Sequence, residues 1–216
     1  MRFIKENFHD IVKLFINQLG VTIFSFFLYT ATSVGMKEND SLKTGVNIGV
    51  SVLSILFFCF LLYTVAWDWG AKDKIRIDGG RLKEFKYKGA LLSLYANVIN
   101  FFIAAVAFVT VLIFMLTYSE ASLFDPSLTL TIDKVTPNFA LELHSVFNIL
   151  MRFISSLYNG LLRGIFSGMS NAFLSSLYES VGFFILPVIA IFATHFGYVM
   201  GLREKKIFSS NAKSKK

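Results

Sequence analysis

Positions 44–67 read TGVNIGVSVLSILFFCFLLYTVAW, with no Asp, Glu, Lys, Arg or His anywhere in the run. A helix that crosses a bilayer needs about 20 mostly apolar residues to cover a hydrocarbon core about 30 Å thick. This run is long enough by itself. Exposed to water, it would form an apolar patch far larger than a soluble monomer carries. It reads as a transmembrane helix.

The pattern recurs on both sides. Residues 14–36, 89–119 and 180–202 also contain no Asp, Glu, Lys or Arg. The third run is long enough to tilt or to project from the bilayer. The last contains Pro187, which removes a backbone donor and is expected to kink its helix. Composition points the same way. Of 216 residues, 55% are hydrophobic and only 16% charged, where soluble domains carry about 25%. Mean hydropathy is +0.61, and most of the 25 Phe fall in the uncharged runs. The expected fold is all-α, a polytopic transmembrane helical bundle forming one membrane domain over residues 1–216.

The first run is not expected to be a cleaved leader. Thr30-Ala31-Thr32 offers a small-residue site, but the region before the apolar core is long. It carries Glu6 and Asp10 beside Arg2, Lys5 and Lys13. Residues 3–15 read as amphipathic and begin in the interface plane.

Orientation follows from Lys and Arg. The segment 68–88 holds Lys72, Lys74, Arg76, Arg81, Lys83, Lys86 and Lys88, and the tail 203–216 holds six more. The connection after residue 36 holds Lys37 and Lys43 against Glu38 and Asp40. The loop 120–140 holds Lys134 against Glu120, Asp125 and Asp133. The N-terminus, the loop 68–88 and the tail are therefore expected in the cytoplasm of a multi-pass cell-membrane protein, with the other two loops outside. The same basic residues would attract anionic lipid headgroups. Net charge is +7, but no groove-reading module accompanies it, so nucleic acid is not an expected partner. Within 68–88, Ile75 and Ile77 alternate with charges before Asp78-Gly79-Gly80, which predicts a short β-hairpin. Residues 128–132 read as at most a short strand.

Residues 141–179 fit none of this. Glu142, Arg152, Arg163 and Glu179 interrupt them, yet a period of four is clear. Ser156, Gly160, Gly164, Gly168, Ala172, Ser176 and Ser180 form one line, and Ser155, Asn159, Arg163, Ser167, Asn171, Ser175 and Glu179 another. A small-residue line lets helix backbones approach closely where lipid supplies no hydrophobic drive. A polar line could instead face a water-filled path. The segment is expected to be an amphipathic or re-entrant helical pair beside four full spans. Six crossings, with a break near residues 160–171, are the alternative.

The other spans also carry small or polar faces. Thr22, Ser25, Tyr29 and Thr32 align in the first; Gly45, Gly49, Ser51 and Ser54 lie in the second. Ser93, Asn97 and Asn100 follow helical spacing in the third, and Ala193, Gly197 and Gly201 in the fourth. The candidate helix-packing residues are Ser156, Gly160, Gly164, Gly168, Ala172, Gly197 and Gly201. The candidate polar pathway comprises Asn97, Asn100, Asn159, Arg163, Asn171, Glu179 and His195. An ionisable group inside a membrane marks a functional candidate by default, and His195 titrates in the range a proton relay needs.

No hydrolytic or phosphate-loop motif is present. His9, His144 and His195 fall in different segments, and the lone Cys59 reads as inert packing, so no metal or cofactor is expected. Asp68, Asp73 and Asp78 are spaced by five, which suits neither a helix face nor a calcium loop. Trp67 and Trp69 read as interfacial anchors.

The run from Tyr63 to Arg81, with Phe3-Ile-Lys-Glu-Asn-Phe, resembles small uncharacterised polytopic membrane proteins of clostridia-like Gram-positive bacteria. The Phe-, Ile-, Lys- and Asn-rich usage suits an AT-rich genome. The resemblance covers roughly the N-terminal half. It implies a bacterial plasma membrane and brings no function or functional residue with it.

The first functional expectation is a non-enzymatic permease-like protein, or a subunit that packs through the small-residue line with itself or a membrane partner. The second is a channel or transporter with its path along residues 155–179. The third is a membrane enzyme acting on lipid-linked substrates through Glu179 or His195.

Overall fold

The computed structural model describes residues 2–35, 40–117, 139–154, 156–166 and 172–204. Among these residues there are eight helices and no strand. They are α1 (Arg2–Glu6), α2 (Phe8–Gly35), α3 (Asp40–Asp78), α4 (Lys88–Ala96), α5 (Val98–Thr117), α6 (Phe139–Ile154), α7 (Ser156–Phe166) and α8 (Ala172–Leu202). Three helical stretches are long and apolar enough to cross a membrane: Phe8–Thr32, Leu42–Asp78 and Leu177–Leu202. The pair α4–α5 makes a fourth if it crosses as one bent unit. The surface is strongly apolar, and the hydrophobic core also takes in many small polar residues. Phe27, Leu56, Phe102 and Phe192 face outward, while Thr22, Ser25, Asn47, Ser54, Asn100 and Thr194 are buried. Such a molecule is at home in lipid, with small polar groups serving as helix contacts.

The expected β-hairpin after Trp67 does not form. Helix α3 continues to Asp78 because its buried stripe does: Phe58, Leu62, Ala66, Trp69 and Asp73 share one face. Ile75 is exposed and Ile77 packs on the core, so residues two apart lie on different helix faces rather than on one face of a strand. The Asp78-Gly79-Gly80 turn is a helix cap instead. Gly80 has φ 68°, the Gly80 N–H donates to the Ile77 carbonyl at 2.9 Å, and the Arg81 N–H to the Arg76 carbonyl at 2.9 Å. That double bond pattern around a left-handed glycine is the Schellman stop.

The third uncharged run is not one straight helix. It bends by 51° between α4 and α5, at Asn97. The Asn97 side-chain amide donates to the Ser93 carbonyl at 2.9 Å, and its backbone N–H is shared between Ser93 and Leu94. A side chain that competes for helix carbonyls favours a local break.

Helices α3 and α8 run side by side in intimate contact. A Cβ on Gly197 or Gly201 would collide with the Tyr63 or Trp67 backbone, and one on Gly70 would collide with the Tyr198 carbonyl. Helix α2 is bound to α3 at the end where α3 begins, through a Thr32 hydroxyl that donates to the Asn47 side-chain Oδ1 at 2.7 Å. Helices α6 and α7 meet at the middle of α2. The Thr22 hydroxyl donates to the Ile154 carbonyl at 3.0 Å, and the Ser156 hydroxyl donates to the Thr22 carbonyl at 2.6 Å. From there α7 returns along α3 towards its start, with Gly160 at Asn47 and Ser51 and Gly164 at Ile48. Helix α6 packs along α5 rather than α4. The two form a helical hairpin with its tip at mid-bundle.

Candidate functional site

Two cavities lie at opposite ends of the α2–α3 pair. The first, about 250 Å³, is lined by His9, Asp10 and Lys13 of α2, Trp69, Lys72, Asp73 and Arg76 of α3, and Lys88 at the start of α4. Its organiser is Asp73, which is only 3% exposed. One carboxylate oxygen accepts from Lys88 Nζ at 2.7 Å and from the Tyr198 hydroxyl at 2.9 Å. Arg76 stands 3.9 Å from the other. A buried carboxylate persists only when paired and hydrogen-bonded in this way. Glycines make the arrangement possible. A Cβ at Gly89 would lie 2.6 Å from the Tyr198 Cβ and 2.9 Å from the Thr194 carbonyl oxygen, so only glycine lets α4 close over Tyr198.

The second cavity, about 410 Å³, is lined by Tyr29, Lys43, Thr44, Asn47, Gly160, Arg163 and Gly164. The Arg163 guanidinium donates to the Tyr29 hydroxyl at 3.0 Å and sits 6.0 Å from its ring centroid. Among the described residues, no acidic side chain is part of that lining.

A buried polar seam leads inward from the second cavity. It begins at Thr32 and Asn47. Two helical turns deeper lie Ser25 and Ser54, both buried, and neither hydroxyl has a hydrogen-bond partner among the described residues. Ser51, Thr22 and Ser156 belong to the same region. Beyond it the buried residues towards the first cavity are Phe58 and Leu62 on α3 and Gln18 and Leu14 on α2. Searches of known protein families, characterised proteins and solved structures find no match to the chain. The geometry is therefore the whole of the functional argument.

A part-buried ion pair ties α6 to α8. Arg152 Nη2 lies 2.9 Å from Glu179 Oε2, with side chains 35% and 11% exposed. Asn159 Nδ2 donates to the Arg152 carbonyl at 2.6 Å and fixes the hairpin tip. Within the polar-pathway set, Asn159 and Arg163 thus lie on α7, and Glu179 of α8 is paired with Arg152 of α6. Asn97 and Asn100 are elsewhere, bonded to each other at 2.8 Å at the α4–α5 break. His195 stacks on Tyr87 with ring centroids 5.9 Å apart. These residues do not converge on one line, and Asn171 lies outside the described residues.

Within the helix-packing set, Ser156, Gly160 and Gly164 face α2 and α3, and Gly197 and Gly201 face α3. Ala172 opens α8, and Gly168 lies outside the described residues. Among the described residues no cluster of three His, Cys, Asp or Glu side chains forms. The sequence reading missed Asp73 as a site residue. Its fivefold spacing from Asp68 and Asp78 was the wrong ruler. The informative spacing was Trp69 to Asp73, one turn apart on the face continued from Ala66.

Proposed function

We propose that the chain is a four-crossing membrane protein of the cell membrane, permease-like and non-enzymatic, with both termini in the cytoplasm. The crossings are α2, α3, the bent α4–α5 pair and α8, and α6–α7 is a re-entrant hairpin entering from outside. The Lys and Arg distribution supports this orientation: the cavity at Asp73 is then cytoplasmic and the one at Arg163 external.

One observation carries the permease reading. Ser25 and Ser54 keep buried hydroxyls without a hydrogen-bond partner among the described residues, two turns inward from Asn47 in the wall of the external cavity. Buried polar groups are normally satisfied, by ordered water where protein does not serve. Water reaching these hydroxyls from the cavity, with Phe58 and Leu62 apolar beyond them, would give the form of a path closed on one side. The small-residue line of α7 is filled by α3 of the same chain, which favours this reading over a subunit that docks a partner through that line.

Cysteine labelling tests it. In a Cys59→Ser background, Ser54→Cys and Ser25→Cys should react with a membrane-impermeant thiol reagent added outside. Leu56→Cys, on the lipid face, should not. If the two seam positions stay as unreactive as position 56, the seam is dry and the permease reading fails.

A further inference from the structure

The cavity around Asp73 contains more than a satisfied carboxylate. Lys13, Lys72, Arg76 and Lys88 line it together with His9, against only Asp10 and Asp73. Lys72 is held by Asp68 at 2.6 Å and Lys88 by Asp73 at 2.7 Å. Arg76 is at 3.9 Å from Asp73, beyond hydrogen-bond distance, and its side chain is 65% exposed. Lys13 is exposed on α2 across the cavity. An arginine fork and a lysine point charge thus face one concavity, with no hydrogen bond to either side chain among the described residues. Asp73 anchors the wall behind them while Tyr198 and Lys88 absorb its charge. Trp69 lines the same space, an aromatic of the type found at the level of headgroups.

We infer that this cavity is a binding site for a phosphate group, presented on the cytoplasmic side either by an anionic lipid headgroup or by free phosphate. The cavity, at about 250 Å³, admits a phosphate with its first waters. Basic pockets between membrane helices on the cytoplasmic side recognise phosphorylated headgroups through this chemistry. The inference goes beyond the permease reading and does not depend on it, because its readout is equilibrium binding.

Two arms distinguish the sources. In the first, the full chain in phosphatidylcholine nanodiscs is titrated with inorganic phosphate. In the second, retention of phosphatidylglycerol by the detergent-purified chain is counted by native mass spectrometry. Saturable single-site binding in the first arm supports the site with free phosphate as ligand. Binding in the second alone supports it with a headgroup as ligand. The deciding variant is Lys13→Gln with Arg76→Gln. Both side chains are exposed, and Asp73 keeps Lys88 and Tyr198, so the fold should persist. Loss of the two charges should weaken binding about thirtyfold. The control is Arg81→Gln with Lys83→Gln, an equal charge change on the same face outside the cavity, which should leave binding nearly unchanged. If the double variant does not fold, Lys13→Gln alone carries the test, with a loss of about fivefold. No saturable binding in either arm overturns the inference. So does a loss no larger than that of the control pair, which would mark diffuse surface charge.

Discussion

Asp73 is the residue on which the basic end depends. Its carboxylate is 3% exposed and accepts from Lys88 and Tyr198. Removing one partner of a buried pair strands the other, at a cost of about 3–5 kcal/mol. Lys88→Met should therefore destabilise the protein by about 3 kcal/mol, and Tyr198→Phe, which loses one hydrogen bond to a charged group, by about 2 kcal/mol. Combining Lys88→Met with Asp73→Asn should recover much of the first loss, because no unpaired charge then remains buried. A double-mutant cycle in denaturant-induced unfolding measures this coupling, and additive losses would mean that the pair is not one unit. The sequence did not reveal this centre. The seven basic residues between 68 and 88 were fully accounted for by orientation, so nothing demanded a buried acid among them. Only the continued stripe from Ala66 through Trp69 could have shown that the helix runs on and takes Asp73 inside.

At the scale of helices, the small-residue lines were readable, whereas the break in the third span was not. Ser156, Gly160 and Gly164 recur every four residues whatever they pack against, so a close approach could be expected without knowing its partner. Asn97 shares helical phase with Ser93 and Asn100 and looked like part of a polar face. The helix bends where the Asn97 side-chain amide joins its own backbone N–H on the Ser93 carbonyl, a contact that no Gly or Pro announces. The glycines also differ among themselves in a way that can be tested. A Cβ at Gly160 would collide with the Asn47 backbone carbonyl and one at Gly201 with that of Trp67, whereas one at Gly164 would meet only side-chain atoms, Cγ1 and Cδ1 of Ile48. Backbone cannot move aside cheaply, but a side chain can turn. Gly160→Ala and Gly201→Ala should each cost about 2–3 kcal/mol by overpacking, and Gly164→Ala less than about 1 kcal/mol. Equal losses at all three positions in the same unfolding assay would mean that backbone proximity does not set the cost.

For the whole molecule, what remained open in the sequence was whether residues 141–179 cross the bilayer or turn back. Composition could not decide it, because a short partly polar helix fits either course. The bonds between Thr22 and the α6–α7 junction bear on the question directly. They place the junction at the middle of α2, and α7 then leads back to Tyr29 and Lys43 rather than on to Asp73. A reversal in lipid would need the polar groups at its tip to bond within the bundle, as Thr22, Ser156 and Asn159 do. Arg163 decides between the alternatives. It stands at the cavity shared with Lys43 and Tyr29, at the end of α3 opposite the basic segment. With four crossings and a hairpin, Arg163→Cys in a Cys59→Ser chain should be labelled from outside intact cells, as should Asp125→Cys in the preceding loop. Lys83→Cys should be labelled only after permeabilisation. In a six-crossing arrangement the region around residue 163 would instead face the cytoplasm. Labelling of Arg163→Cys only after permeabilisation, with Asp125→Cys still labelled outside, would replace the hairpin with two further crossings. It would also move the cavity at Tyr29 to the cytoplasmic side of the chain or dissolve it.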